Sequence, residues 1–297
     1  MKLKKLLLVF ILTFIFFSSF AQDMLGSLDS MSTGERDFVT ATFKTTRLVD
    51  QHTLETVGSH TLDFRISHRF GPVNSGAYNA WGIDGPANIR LSLEYSHDGR
   101  FMFGLGRSSY DKVVDGFLKF KLLRQTTDNA IPFSVTLFSG TYYTTLKDVN
   151  KKANGYDKYE HASSRLSYCF EMMIGRKFTP SFSFQLAPWF VHYNLVDNIT
   201  DKNDAYGLAG LFRLKFTKHS AITAEYGYRF KNDYSIVNTY YDNMSIGYEL
   251  ETGGHVFQIH FTNSFGLVES QFFPHTNSKW NNAGIRLGFN ISRVFTL

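Results

Sequence analysis

The sequence predicts an all-β protein: a single antiparallel up-and-down transmembrane β-barrel of about 12 strands (range 10–14), preceded by a short N-terminal β-hairpin segment. Three observations carry this expectation. Stretches of about ten residues alternate between apolar and polar side chains, and the connections between them alternate between short and long. The chain also opens on an export signal, yet no later apolar run is long enough for a membrane helix.

The alternation is clearest in TLDFRISHRF, residues 61–70, where Leu62, Phe64, Ile66 and Phe70 share one parity and Asp63, Arg65, Ser67 and Arg69 the other. Side chains on a strand point alternately to its two faces, so this strand has one oily and one charged face. Such a charged face does not suit the interior of a soluble β-sandwich. It suits a wall with lipid on one side and water on the other.

The export signal is MKLKKLLLVFILTFIFFSSFAQ: Lys2, Lys4 and Lys5, then the apolar run Leu6–Phe17, then small residues at Ser19 and Ala21. This predicts a signal peptide over 1–21, cleaved after Ala21. The run of about 12 residues is too short to span a bilayer, which takes roughly 17–25. Removing three lysines lowers the net charge from +5 to near +2, so the basic balance is no argument for nucleic acid. The lone Cys169 provides no disulfide. With 30 Phe and 16 Tyr against 6 Pro, the composition fits an aromatic-rich exported β-protein.

Residues 22–60 are expected to form a flexible segment whose FVTATFKTTRLVDQHTLETV (38–57) makes a hairpin of Thr- and Val-rich arms around Asp50-Gln51, placed below or inside the lumen. The barrel domain is expected over 61–297, with strands at 61–69, 88–95, 101–108, 116–124, 132–145, 162–177, 181–193, 205–216, 220–231, 241–250, 254–264 and 284–296. Connections after even-numbered strands are short (SHDGR, QTTDNAI, FTP, TKH, ETG), and those after odd-numbered strands are mostly longer. Tight periplasmic turns and long outer loops produce that asymmetry. Pro188 sits inside one strand and predicts a bulge there or a shorter strand. Arg293 falls on the lipid parity and is expected at the periplasmic interface. Phe212 faces lipid by the same parity, and Thr223, facing the lumen, is expected to accept an arginine that Phe212 would not.

The blocks FVTATFKTTR, TLDFRISHRFGPVNSGAYN, LEY, GRSSYDKVVDGFLKFKLLRQ, SRLSY, SIGYELETGGHVFQIHFTNS and GFNISRVF cover nearly all of the mature chain. On these blocks the chain resembles a family of predicted outer-membrane β-barrels of unknown function found in Bacteroidetes-type bacteria. The resemblance implies an outer-membrane barrel of a Gram-negative bacterium. It implies no activity, substrate or catalytic residue.

The candidate site is the charged lining of the lumen. Parity places Arg65, Arg69, Arg90, Lys119, Lys121, Arg165, Arg213, Lys215, Arg229 and Arg286 inside, against Asp63, Glu94, Glu171, Glu225 and Glu249. Ten cations to five carboxylates would favour anions in a pore. The competing reading is that the charges pair across strands and fill the barrel.

Other chemistry finds little support. His255 and His260 lie on opposite faces of one strand, and His68 differs in parity from His260, so no metal site is expected. Ser67-His68, His161-Ala162-Ser163 and His192-Tyr193-Asn194 offer hydrolase residue types without a signature spacing. The run Asp197–Asp204 lacks the glycine and final glutamate of a calcium-hand loop. No catalytic, cofactor-binding or metal residue is assigned. The expected role is a narrow channel or binding barrel for small solutes, anionic ones included, with membrane lipid as its surroundings and no nucleic-acid partner. The alternative is a closed-lumen structural or interaction barrel, and an outer-membrane enzyme comes third.

Overall fold

Twelve antiparallel strands close on themselves in sequence order: β1 (Thr61–Pro72), β2 (Asn88–Ser96), β3 (Phe101–Ser108), β4 (Val113–Leu123), β5 (Ser134–Thr144), β6 (Leu166–Lys177), β7 (Phe182–Tyr193), β8 (Asp204–Lys215), β9 (Ser220–Arg229), β10 (Asn243–Thr252), β11 (His255–Thr262) and β12 (Arg286–Thr296). Closure comes from β1 pairing with β12, Thr61 opposite Thr296 and Ile66 opposite Ile291. No sheet edge is left, so the backbone groups of the wall are satisfied within it, as a bilayer demands. This computed structural model describes residues 37–147, 158–196, 201–230 and 240–297. The signal peptide, residues 22–36 and residues 197–200 of the acidic run lie outside the described residues.

Alternation sets the faces. In β2, Ile89, Leu91 and Leu93 are exposed while Arg90, Ser92 and Glu94 are buried; in β11, Phe257, Ile259 and Phe261 are exposed and Gln258 and His260 buried. Ile259 is 57 % exposed on the wall. Ile259→Arg therefore places a charge in hydrocarbon at a cost of about 2–4 kcal/mol near the midplane. We expect it to lose most of the heat-modifiable, folded band in detergent gels; a wild-type yield would mean that this face does not meet lipid. Thr223 is another matter. It is 1 % exposed and pairs with Gly247, which Val49 and His260 also adjoin, so an arginine there meets a filled lumen in place of the open water the sequence suggested.

The turns on the side where β1 begins and β12 ends are mostly tight. In the β2–β3 turn, Asp98 Oδ1 accepts the N–H groups of Arg100 (2.9 Å) and Phe101 (2.7 Å), and Gly99 takes the positive φ of 76° that the reversal needs. The opposite side carries the longer connections, including 73–87 and 263–285. The side where β1 begins and β12 ends is therefore periplasmic. Arg293 is exposed there, over Phe295 at 4.9 Å, as expected of an interfacial charge.

Pro188 produces neither a bulge nor a short strand. β7 runs unbroken, and its register against β6 is the same on both sides of the proline (Glu171 opposite Trp189, Ile174 opposite Leu186). Only the pairings between these two points are missing, because proline has no N–H to give to the ladder. Two other expectations shift at strand ends. Residues 162–165 form a 3-10 turn before β6, so Arg165 is not in a strand, and β4 begins at Val113, which brings Asp115 onto the inner face.

The N-terminal segment lies inside the barrel. Only its tip is a hairpin, closed by Leu48 N–H to Gln51 O and Thr53 N–H to Thr46 O, both 2.9 Å. The expected Thr- and Val-rich arms do not continue the pairing beyond this tip: Leu54 N–H bonds to Gln185 of the wall and Val39 N–H to Gln125 O after β4. From the other end, residues 263–285 fold inward around the one-turn helix α1 (Glu269–Phe272), burying Val268, Phe272 and Phe273 completely. The lumen is thus filled in two halves. Against β3–β8 the segment and loop pack Leu54, Phe272 and Phe273 on Phe117, Phe138, Met173, Trp189 and Leu211; against β9–β12, β1 and β2 the contacts are mainly polar and charged.

Candidate functional site

The hairpin tip is held by the wall atom by atom. Asp50 receives Arg69 at 2.6 Å, Ser245 at 2.7 Å, Thr262 at 2.8 Å and Asn243 at 3.1 Å. Glu225 accepts the backbone N–H groups of Val49, Asp50 and Gln51 at 3.1, 2.7 and 3.3 Å. Lys119 donates to the carbonyls of Thr46, Thr53 and Glu55 at 2.8, 2.9 and 3.1 Å. Gln185 both accepts from Leu54 N–H and donates to His52 O. A short irregular segment buried in a barrel has no ladder of its own, so each of its backbone groups needs such a partner.

A second constellation ties this segment to the outer loop. Glu269 of α1 accepts Arg47 at 2.8 Å and the Tyr142 hydroxyl at 2.6 Å, and His52 Nε2 lies 3.6 Å away. His52 also packs against the rings of Phe117 and Phe138. Burial, reinforced by the Arg47 and Lys119 charges, holds the His52 imidazole well below its ordinary pKa. The segment entering from the periplasm and the loop entering from outside thus meet at one carboxylate.

The sequence-predicted lumen residues can be followed one by one. Arg65 pairs with Asp63 at 3.2 Å and approaches Glu94 at 4.0 Å, while Glu94 also receives the Thr46 hydroxyl. Arg69 and Glu225 hold the tip as described. Arg90 makes a two-pronged pair with Asp115 at 2.9 and 2.6 Å, and Arg213 pairs with Glu249 at 2.7 Å and Glu251 at 3.2 Å. Arg229 donates to Pro274 O of the inward loop at 2.9 Å. Arg286 lies over the Phe265 ring at 4.6 Å. Lys215 ends β8 at the periplasmic rim, half-buried. Arg165 sits at the outer rim, bonded to the carbonyls of Thr144 and Leu146 and stacked on Tyr159.

The ten-to-five excess of cations does not survive this accounting. Among the described residues, eight buried cations (Arg47, Arg65, Arg69, Arg90, Lys119, Arg213, Arg229, Arg286) face eight buried carboxyl groups (Asp50, Asp63, Glu94, Asp115, Glu171, Glu225, Glu249, Glu269). Strand parity could not find Arg47, Asp50 and Glu269, because none of them is on a strand. One signal was available: the apolar run Leu267, Val268, Phe272, Phe273 around Glu269 is odd in an outer loop, and it marks a loop that turns inward.

Among the described residues, a cavity lies at each end of the filling. The outer one, about 470 Å³, is bordered by Tyr110, Tyr193, Tyr240 and Gln271 among others, and the inner one, about 410 Å³, by Lys44, Glu55, His219 and Glu251. Of the hydrolase-type residues, Ser67 faces the lumen while His68 points out and stacks on Phe289; at the outer rim His192 Nδ1 lies 2.6 Å from Asp204 Oδ1 and Asn194 donates to Ser163 O at 2.8 Å; Cys169 is buried. His255 and His260 take opposite faces.

A closed, lipid-girdled barrel of twelve strands with a filled lumen is an outer-membrane β-barrel, and that is the class of this protein. The chain belongs to the family described as membrane bound beta barrel domain (DUF5777), whose model matches residues 43–295. The match therefore includes most of the lumen segment as well as the strands. A search of curated proteins finds no match. Among solved structures, the chain is similar to the COG4313 outer membrane channel from Pseudomonas putida F1 (14% identity, 84% of this chain and 100% of that one, TM-score 0.48). It is also similar to the KdgM porin (10%, 80% and 99%, TM-score 0.45) and to outer membrane phospholipase A from Escherichia coli (11%, 78% and 92%, TM-score 0.44). At these identities the likeness concerns the fold alone.

Proposed function

We propose that the protein is a barrel kept closed by its own chain: a non-enzymatic binding and interaction barrel that does not conduct solutes while residues 41–57 occupy the lumen. This is the closed-lumen alternative from the sequence, and it is preferred to the narrow open channel. The observation that carries it is the grip on the hairpin tip, where Asp50, the three N–H groups accepted by Glu225 and the three carbonyls bonded by Lys119 join the segment to β1, β4, β9, β10 and β11. Buried charges that are paired and hydrogen-bonded in this way act as structural fastenings in place of a lining for anions.

Among the described residues, the two end cavities are where small solutes would then bind. The test is a planar bilayer containing the purified full-length mature chain. We expect no stepwise current in symmetric salt. A steady ohmic conductance that prefers anions would return the protein to the channel reading.

A further inference from the structure

The lipid-facing wall from β3 to β7 carries a trough of about 610 Å³, bordered by Phe101, Leu118, Leu137, Phe170, Met172 and Pro188. The register explains its shape. Phe101, Phe120, Leu137 and Met172 are successive cross-strand partners, and the common register of β6 and β7 places Pro188 next in that row. Leu118, Ser139, Phe170 and Phe190 form the adjacent row. Ser139 and Pro188 have the shortest side chains of the two rows, one in each, and their neighbours stand higher. Four inter-strand spacings give the trough a length of roughly 19 Å.

One end of the trough is at the periplasmic rim, since Phe101 opens β3 directly after a periplasmic turn, and the other is mid-wall, at the seventh residue of β7. Two cations stand at the rim end. Arg100 precedes Phe101, and Arg124 follows β4 and lies over the Phe38 ring at 4.0 Å. An apolar slot that is continuous with the bilayer-facing band and has guanidinium groups at its interfacial end matches a tail joined to a phosphate.

We infer that this trough is a binding site for one phospholipid of the periplasmic leaflet, with an acyl chain along β3–β7 and its phosphate at Arg100 and Arg124. The inference is independent of whether the lumen conducts. Burying apolar surface in a shaped slot favours one chain over the mobile annular lipids, because the slot's side walls add contacts that a smooth wall lacks. The chain also covers the stretch of wall where the β6–β7 ladder is interrupted.

The test is native mass spectrometry of the full-length mature chain in detergent, titrated with palmitoyl-oleoyl-phosphatidylglycerol. We expect the first lipid to bind about tenfold tighter than the next. Ser139→Phe, which fills the floor, should abolish that preference, and Arg100→Gln with Arg124→Gln should reduce it several-fold. Ile259→Phe, on the far wall, should leave it intact. Heat-modifiable migration reports that each variant is folded; should Ser139→Phe fail to fold, Leu137→Trp fills the same trough from its side. A wild type without first-lipid preference would overturn the inference, as would a folded trough-filling variant that keeps it. Equal retention of free palmitate would overturn the assignment to a phospholipid, since the phosphate would then contribute nothing.

Discussion

Deleting residues 22–57 is expected to give a conducting barrel where the full-length chain is expected to be silent. The wall owes its closure to strand pairing all the way round, none of which involves the N-terminal segment, so the deletion variant keeps a folded and heat-modifiable barrel. What it loses is the material between the two end cavities: Phe43, Leu48 and Leu54, the hairpin tip, and the Arg47 that holds the outer loop through Glu269. Water then reaches Arg69, Lys119 and Glu225, whose partners have gone. The pore exposed in this way has cations and carboxyl groups in near balance, Arg47 and Asp50 having left together, so weak selectivity is expected in a salt gradient in place of a strong anion preference. Single-channel recording of the folded variant beside the wild type decides it. A silent variant would mean that Val268, Phe272 and Phe273 of the inward loop suffice as the closure.

Asp50→Ala is the point substitution with the largest expected effect. Asp50 and Arg69 are both fully buried and 2.6 Å apart, and three further groups donate to the same carboxylate. Removing one partner of a buried pair strands the other, at about 3–5 kcal/mol. The wall is anchored by its ladders, whereas the segment is held mainly by these contacts, so the cost falls on docking of the segment. The undocked population should rise by roughly two orders of magnitude or more. Trypsin reports it by cleavage at Lys44 and Arg47, of which Arg47 is buried in the wild type. An unchanged cleavage rate with an intact barrel would show that the apolar contacts of Phe43, Leu48 and Leu54 hold the segment without the tip.

The faces of the strands were legible in the residues because period-two alternation is imposed by the strand itself. Leu62, Phe64 and Ile66 on one parity and Asp63, Arg65 and Ser67 on the other needed no knowledge of neighbours. Closure into twelve strands followed from the same local property, repeated with alternating short and long connections. Pro188 was visible as an anomaly, but its outcome was not. Whether a missing N–H breaks a strand, bulges it or opens a gap depends on the partners on both sides, and β8 keeps β7 in register throughout.

The charges of the lumen show the limit most clearly. That Arg69 and Glu225 point inward is a matter of parity; that they meet Asp50 and the backbone of Val49–Gln51 is not, because those residues lie on a segment with no period, more than a hundred residues from Glu225 in sequence. Alternation states which side of the wall a side chain occupies and is silent about what occupies the space there. An open lumen and a filled one carry the same pattern, and only the course of the N-terminal segment and of the loop around Glu269 through three dimensions separates them.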